Sequence, residues 1–301
     1  MPEPRAVPEL SVVIPAVNGT DDILGCLAAL RRTRGATLEV IVADRTGEAQ
    51  RWAIGRDYPE VRLIRVAPGT SIPAMREAAI RAATAPAVAV IEDHVIVPPD
   101  WARRMLDALA EGHDVVGGAI ENAATGSLID WAAFLCEYSS ALPPLPAGPS
   151  AWLPGNNVIY RTSVLRRFDA VLAEHKWENR LHDAMRAAGV ELLMRPDIVV
   201  GHKMHYSFGL YMSQRFLYSR SYAAARAAGW SRGAKLKMGA LAFALPPLIL
   251  LRTVSRVRAR RYHVDKLIRS LPLQVAFAIS WGLGEVAGYW FGPGNALGRV
   301  R

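Results

Sequence analysis

The sequence predicts an α/β fold built around a mostly parallel sheet. Three observations predict it: short β-branched runs recur through the first half, segments with helical apolar spacing lie between them, and turn or cap residues mark the junctions. Leu10 to Ile14 is a strand stopped by Pro15, and Asn18, Gly19, Thr20 and Asp21 supply turn and cap chemistry for a helix through about Arg32. Leu38 to Ala43 is a strand ending at Asp44, Glu48 to Arg56 a helix, Val61 to Val66 a strand, and Ser71 to Ala83 a helix. The Val88 to Ile91 strand follows, and right-handed crossovers between such units give a parallel sheet.

That last strand runs into Glu92, Asp93 and His94, side chains that can bind metal or accept protons. In open α/β sheets, ligands bind at the carboxyl ends of the strands. The same triplet also reads as a polar loop with a capping acid pair. Pro98-Pro99-Asp100-Trp101 then opens a helix to Leu109.

The chain has 301 residues, 51% hydrophobic and 21% charged, which excludes a disordered chain and allows one large or two modest domains. A net charge of +9 favours an anionic partner: nucleic acid, a phosphorylated substrate or an acidic membrane surface. The arginines flank apolar segments and do not alternate with stacking aromatics, so nucleic acid is not the expected partner. Cys26 and Cys136 lie far apart in apolar contexts, as structural thiols of a reducing compartment do. No signal-type sequence opens the chain, so the catalytic part is expected to face the cytoplasm. No GxGxxG follows the first strand and no GxxxxGK[ST] occurs, which removes the usual dinucleotide and P-loop readings.

In the second half, Val115 to Ala119 reads as a strand and Trp131 to Tyr138 as an apolar helix, followed by a proline-rich loop over 143–149 that is a lid or a rigid spacer. Lys176 to Gly189 reads as a helix entered from a loop and stopped by glycine. Ile198 to His202 is a strand ending in histidine, with His205 just beyond.

The C-terminal third has two apolar runs. Met238 to Leu251 carries two prolines, and Leu271 to Phe291 is apolar except for Gln274, Ser280 and Glu285. The first is shorter than the ~20 residues of a straight span. A crossing would put the basic linker from Arg252 to Arg269 outside, against the positive-inside tendency. Interfacial or re-entrant attachment is therefore expected over two full spans, with a buried helical hairpin in a soluble oligomer as the alternative. The expected division is a catalytic domain over 1–230 and a helical membrane-associating region over 231–301.

Several segments, in order, carry a family resemblance: Ser11 to Asn18, Glu39 to Asp44, Ala74-Met75-Arg76, and Glu92-Asp93-His94 with Pro98-Pro99-Asp100-Trp101. Over about residues 10 to 225 the chain resembles the family 2 glycosyltransferases. The resemblance implies the GT-A fold, with a UDP- or GDP-sugar lying across the strand ends and transfer with inversion. It implies Pro15, Asn18 and Asp44 around the nucleoside, Arg76 on the diphosphate or base edge, and Asp93 beside the donor. The divalent ion would sit on Glu92, Asp93 and His94, with His202 closing the site and His205 in reserve. Asn156 and Asn157 resemble the segment beside donor sugar and acceptor, where a plain Asx turn is the alternative, and Trp177 is a further acceptor candidate. Glu178 falls on the family's catalytic base, since an acceptor hydroxyl needs a carboxylate within reach to take its proton. An ordinary N-terminal helix acid is the other reading. Asp183 competes with it but lies five residues on, roughly 140° further round a helix.

Two departures stand out. Asp44-Arg45 replaces the family's paired aspartates, and Glu92 and His94 fall on the two acidic positions of its DxD motif. Hard oxygen ligands suit Mg²⁺, and the imidazole suits Mn²⁺ better, so the expected cofactor is Mn²⁺ or Mg²⁺. The expected acceptor is a lipid-linked or membrane-proximal glycan of the cell envelope, reached from the cytoplasmic face of the cell membrane. A sugar nucleotidyltransferase is a rival on the same fold, but only Gly19 stands where that class has a glycine-rich loop. A catalytically weakened nucleotide-sugar-binding or scaffold protein is the rival that the altered acidic motifs suggest.

Overall fold

A computed structural model describes residues 7–300. In chain order the elements are β1 (Leu10–Ala16), α1 (Thr20–Arg31), β2 (Leu38–Asp44), α2 (Glu48–Asp57), β3 (Arg62–Arg65), α3 (Ile72–Ala82), β4 (Ala87–Val90), β5 (Val95–Ile96), α4 (Trp101–Ala110), β6 (Val115–Asn122), α5 (Leu128–Tyr138) and β7 (Gly148–Pro149). There follow β8 (Val158–Arg161), α6 (Thr162–Arg166), α7 (Asp169–Leu172), α8 (Glu178–Ala187), β9 (Leu192–His202), α9 (Phe208–Arg226), α10 (Arg232–Leu241), α11 (Leu245–Arg260), α12 (Val264–Arg269), α13 (Leu271–Phe291) and α14 (Ala296–Arg299). They form two compact units, Met1–Glu121 with Leu145–Lys203, and Asn122–Pro144 with Met204–Arg301. The division that composition puts at residue 230 falls inside the second unit, which also takes in α5 and α9.

The first unit holds one sheet, ordered β3-β2-β1-β4-β8-β6-β9-β5, with β7 paired to β9. The β3, β2, β1 and β4 strands are parallel, as the strand and helix alternation predicts. Beyond β4 the described pairings of β8 with β4 and β6 are antiparallel, so the sheet as a whole is mixed. The β1 side chains are fully buried, as befits a central strand covered on both faces. Local chemistry sets the helix ends. Ser71 caps α3 by accepting from the Ala74 N–H at 3.4 Å, with Pro73 in the first turn. Gly189, at φ +80°, ends the α8 segment in the left-handed conformation that glycine adopts without strain.

β9 begins six residues before the expected strand. Its middle carries Arg195, Pro196 and Asp197, and the two charges pair with each other and with Glu111 and Arg104 on the surface. These polar positions interrupt the apolar pattern without interrupting the strand. The register is informative: Ala16 faces Asp44 and Val13 faces Val90, so the carboxyl ends of β1, β2 and β4 lie along one edge. That edge is where an open α/β sheet receives a ligand.

The second unit is helical. One small core is formed by Ala132, Ala133, Cys136, Tyr211 and Phe277, and another by Ala223, Ala227, Ala242, Val286 and Tyr289. Its polar groups are tied to backbone: Gln274 donates to the Ala132 carbonyl at 2.8 Å and Ser280 to that of Met212 at 2.7 Å. Cys26 and Cys136 are free, buried thiols.

Candidate active site

The loop after β4 turns so that its three polar side chains part company. Asp93 is wholly buried and points back to the β1–α1 connection. Its Oδ2 accepts from the backbone N–H groups of Val17 and Asn18 at 2.7 and 2.8 Å, and its Oδ1 from the Asn18 side-chain amide at 2.8 Å. The remaining contact is with His94 Nδ1 at 2.9 Å. Burial alone would push the Asp93 carboxyl up, but the donors from His94 and Asn18 outweigh it and hold the carboxyl below its ordinary range.

His94 is thereby oriented through Nδ1, and its Nε2 faces away, 2.8 Å from Nε2 of His202 and 3.5 Å from Oε2 of Glu92. Burial lowers the His94 pKa, but the Asp93 and Glu92 carboxylates more than compensate, and the group titrates above its usual value. His202 is pushed well below its usual value by burial and by the charge on His94. One ligand atom from each of Glu92, His94 and His202 lies within 4.8 Å of the others, a spacing that could hold a metal ion. Asp93 is not among the three. It sits behind His94 as a carboxylate partner that fixes the ring, the usual support of a ligating histidine. Two imidazoles and one carboxylate suit Mn²⁺ or a similar transition ion better than Mg²⁺.

Arg76, nearly buried on α3, joins this cluster to Glu178. Its Nη2 donates to Glu92 Oε1 at 3.3 Å and its Nη1 to Glu178 Oε2 at 2.9 Å. Asn156 donates to Glu92 Oε2 at 2.9 Å. Glu178 opens α8 with Trp177 as N-cap residue, and its side chain is a quarter exposed beside a cleft that Arg76 and Gly155 also line. Gly155 is the missing side chain that makes this possible, because a Cβ there would overlap the Glu178 carboxyl. Asp183 is turned to solvent and its charge partner is Arg186, at 3.8 Å. Of the two candidate bases, only Glu178 is tied to the Glu92 cluster.

The other expected residues are placed as follows. Pro15 is buried in β1, and Asn18 is committed to Asp93. Asp44 is buried at the end of β2, about 10 Å from β4 by two strand spacings. Its Oδ1 accepts from Thr46 N–H, Thr46 hydroxyl and Gln50, and its Oδ2 from Arg51 at 2.7 Å. Asn157 is wholly buried, bonded to the carbonyls of Ala119 and Ile198 and to the Trp101 indole, so it braces β6, β9 and α4. Trp177 is buried as well. In the second unit, His205 pairs with Asp130 at 3.0 Å.

Sequence reading missed Gln50 and Arg51, whose position in the first turn of α2, facing the end of β2, was the available signal. It also missed the buried contact behind α8. The Tyr160 hydroxyl and His182 Nε2 share a hydrogen bond at 2.8 Å, and burial lowers the His182 pKa to about 4. A histidine depressed when folded stabilises the native state fully above its unfolded pKa near 6.5, and that stability is lost as pH falls toward 4. The shift corresponds to about 3 kcal/mol. Urea unfolding between pH 7 and 4 should therefore weaken more steeply for wild type than for His182→Gln; parallel curves would rule His182 out as the source.

Residues 11–171, more than half the chain, match the family described as Glycosyl transferase family 2. A comparison with curated proteins gives no match. Among solved structures, the crystal structure of S. aureus TarS 1-349 aligns with a TM-score of 0.52 at 16% identity, covering 93% of this chain and 90% of that one. The mannosyltransferase PcManGT from Pyrobaculum calidifontis, in complex with GDP-Man and Mn²⁺, aligns with a TM-score of 0.57 at 17% identity, covering 96% and 89%. At these identities the likeness is one of fold, and the fold is GT-A-like.

Proposed function

Since the chain belongs to glycosyl transferase family 2, we propose that this glycosyltransferase moves a sugar from a nucleoside-diphosphate donor to an acceptor hydroxyl with inversion, Glu178 serving as the base. The donor is a UDP- or GDP-sugar, and the acceptor is lipid-linked or lies close to the cytoplasmic face of the cell membrane. The observation that carries this reading is the Arg76 bridge, which links the Glu92, His94 and His202 group to Glu178 in one hydrogen-bonded network.

Each residue then has a task. Glu92, His94 and His202 would hold a divalent ion, which when bound offsets the negative charge of the departing nucleoside diphosphate. Arg76 keeps a cation between two carboxylates and can offer its fork to phosphate oxygens. Glu178 takes the acceptor proton, while Asn156, donating to Glu92, orients that carboxylate. Asp44 is the residue suited to accept from the donor base or ribose, and it does so by exchanging Arg51 or Gln50 for the ligand.

The test is release of nucleoside diphosphate from a panel of UDP- and GDP-sugars with Mn²⁺, Mg²⁺ or chelator. Metal-dependent release with an inverted product supports the reading, and no turnover of any donor with either ion overturns it. A second variant probes the geometry. Gly155→Ala should push the Glu178 carboxyl aside and lower kcat by about 10²-fold, the scale of a 1 Å misplacement, with donor affinity retained. Unchanged kcat would mean that Glu178 need not occupy its position over Gly155.

A further inference from the structure

The second unit carries an apolar surface that its own fold leaves uncovered. α13 has two faces. One is packed so closely on α9 that a Cβ at Gly284 or Gly288 would overlap Ser219, Phe216 or the Arg220 carbonyl, and Glu285 on this side pairs with Arg226. The other presents Leu271, Val275, Ile279 and Leu283 at four-residue spacing, each 40–49% exposed. The helical stretch Arg232–Arg260 is long and apolar enough to cross a membrane, yet only 17% of its apolar window is buried. Leu241, Phe243, Leu248 and Leu251 stand exposed along it. α10 and α11 both pack on α13, so these residues belong to one assembly of helices. Exposed apolar side chains in such number on one group of helices mark an interaction site.

Charge identifies the partner. From Arg232 to Arg269 there are ten Lys and Arg residues against one acid, Asp265. They bracket the apolar residues: Arg232, Lys235 and Lys237 stand before them, and Arg252, Arg256 and Arg258 after. Cations at both ends argue against a crossing, which would carry one set through the hydrocarbon. The far end of α11 is also tied back to protein, since Arg260 donates to the carbonyls of Ser139 and Ser140. A helix with one protein-packed face and one apolar face, flanked by cations, fits a position in the plane of a headgroup layer.

We infer that α10, α11 and the outer face of α13 form a monotopic seat on an anionic lipid bilayer, lying in its interface without spanning it. This deepens the reading of a membrane-proximal acceptor, because it names the surface that brings the enzyme to that acceptor. Helices held in the interface bind by apolar burial plus attraction to anionic lipid, so both contributions should be measurable.

The test is flotation of the full chain with vesicles of phosphatidylcholine alone or mixed with phosphatidylglycerol. Binding to the anionic vesicles should be at least ~10-fold tighter than to neutral ones and should weaken in high salt. Ile279→Glu with Leu283→Glu should lower binding at least ~10-fold with the unfolding transition unchanged, and Arg256→Ser with Arg258→Ser should erase the lipid preference. Equal binding to both vesicles would overturn the proposal, as would retention through a carbonate wash, which marks a spanning protein. So would a dimer in solution that ignores vesicles, since a second copy would then cover the face. Donor turnover measured without vesicles keeps the two readings apart: turnover with no vesicle binding ends this proposal alone, and vesicle binding with no turnover ends the catalytic one alone.

Discussion

Glu178→Gln should lower kcat by about 10²- to 10⁴-fold, equivalent to ~3–5 kcal/mol of barrier, with donor affinity little changed. The amide keeps the size of the carboxyl and can still contact Arg76, but it cannot take a proton. The Glu92 to Arg76 contact does not depend on Glu178 and should persist, so the donor side of the site stays assembled. Glu178 is in the first turn of α8, where losing its charge costs only about 0.3–1 kcal/mol of helix dipole energy, so the variant should fold. A merely structural role predicts a different result: lower stability and unchanged kcat per folded molecule. Equal turnover of variant and wild type would remove Glu178 as base, and Asp183 could not replace it in this conformation because it faces solvent beside Arg186.

The parallel half of the fold was legible because its strands and helices have different apolar periods, and changes of period fall at caps such as Gly19 and Ser71, whereas Pro15 does not stop β1, which runs on to Ala16. The direction of β8 and β6 was not legible. A strand buried on both faces reads as an apolar run in either orientation, and only the pairing of Val158 with Val90 settles it. The C-terminal helices were ambiguous for a related reason: core-facing and lipid-facing residues are both apolar. What separates the faces of α13 is Gly284 and Gly288, whose role is visible only with α9 against them. At the site, residue types pointed to a ligand, but three consecutive polar residues cannot all face one way. Glu92 and His94 meet His202, whereas Asp93 is taken up by Asn18 and Val17, a choice made by a chain segment some 75 residues away. The same holds for Asn157, whose neighbour Asn156 reaches Glu92 while its own amide is consumed by Ala119 and Ile198.

His202→Gln should weaken Mn²⁺ binding by at least ~100-fold, more than the 10- to 100-fold cost of disturbing a ligand's support. Titration calorimetry or the Mn²⁺ paramagnetic signal measures this without reference to turnover. The prediction follows from the ligand inventory. The cluster offers one ligand atom each from Glu92, His94 and His202, with the two imidazole Nε2 atoms 2.8 Å apart, so losing the His202 ring removes one of three ligands. His202 is buried near the end of β9 opposite Val95, and glutamine fills most of its volume, so loss of fold is not the expected cause. Asp93→Asn provides the graded control. It removes no ligand atom from the cluster but weakens the hold on His94 Nδ1, so affinity should fall by about 10- to 100-fold. The expected order is therefore wild type, then Asp93→Asn, then His202→Gln. The wild-type site should also prefer Mn²⁺ to Mg²⁺, since imidazole nitrogen favours the softer ion. If Mg²⁺ bound more tightly, or if His202→Gln bound Mn²⁺ as wild type does, the ion would be held by other oxygens and the two histidines would be a buried pair with no ligand role.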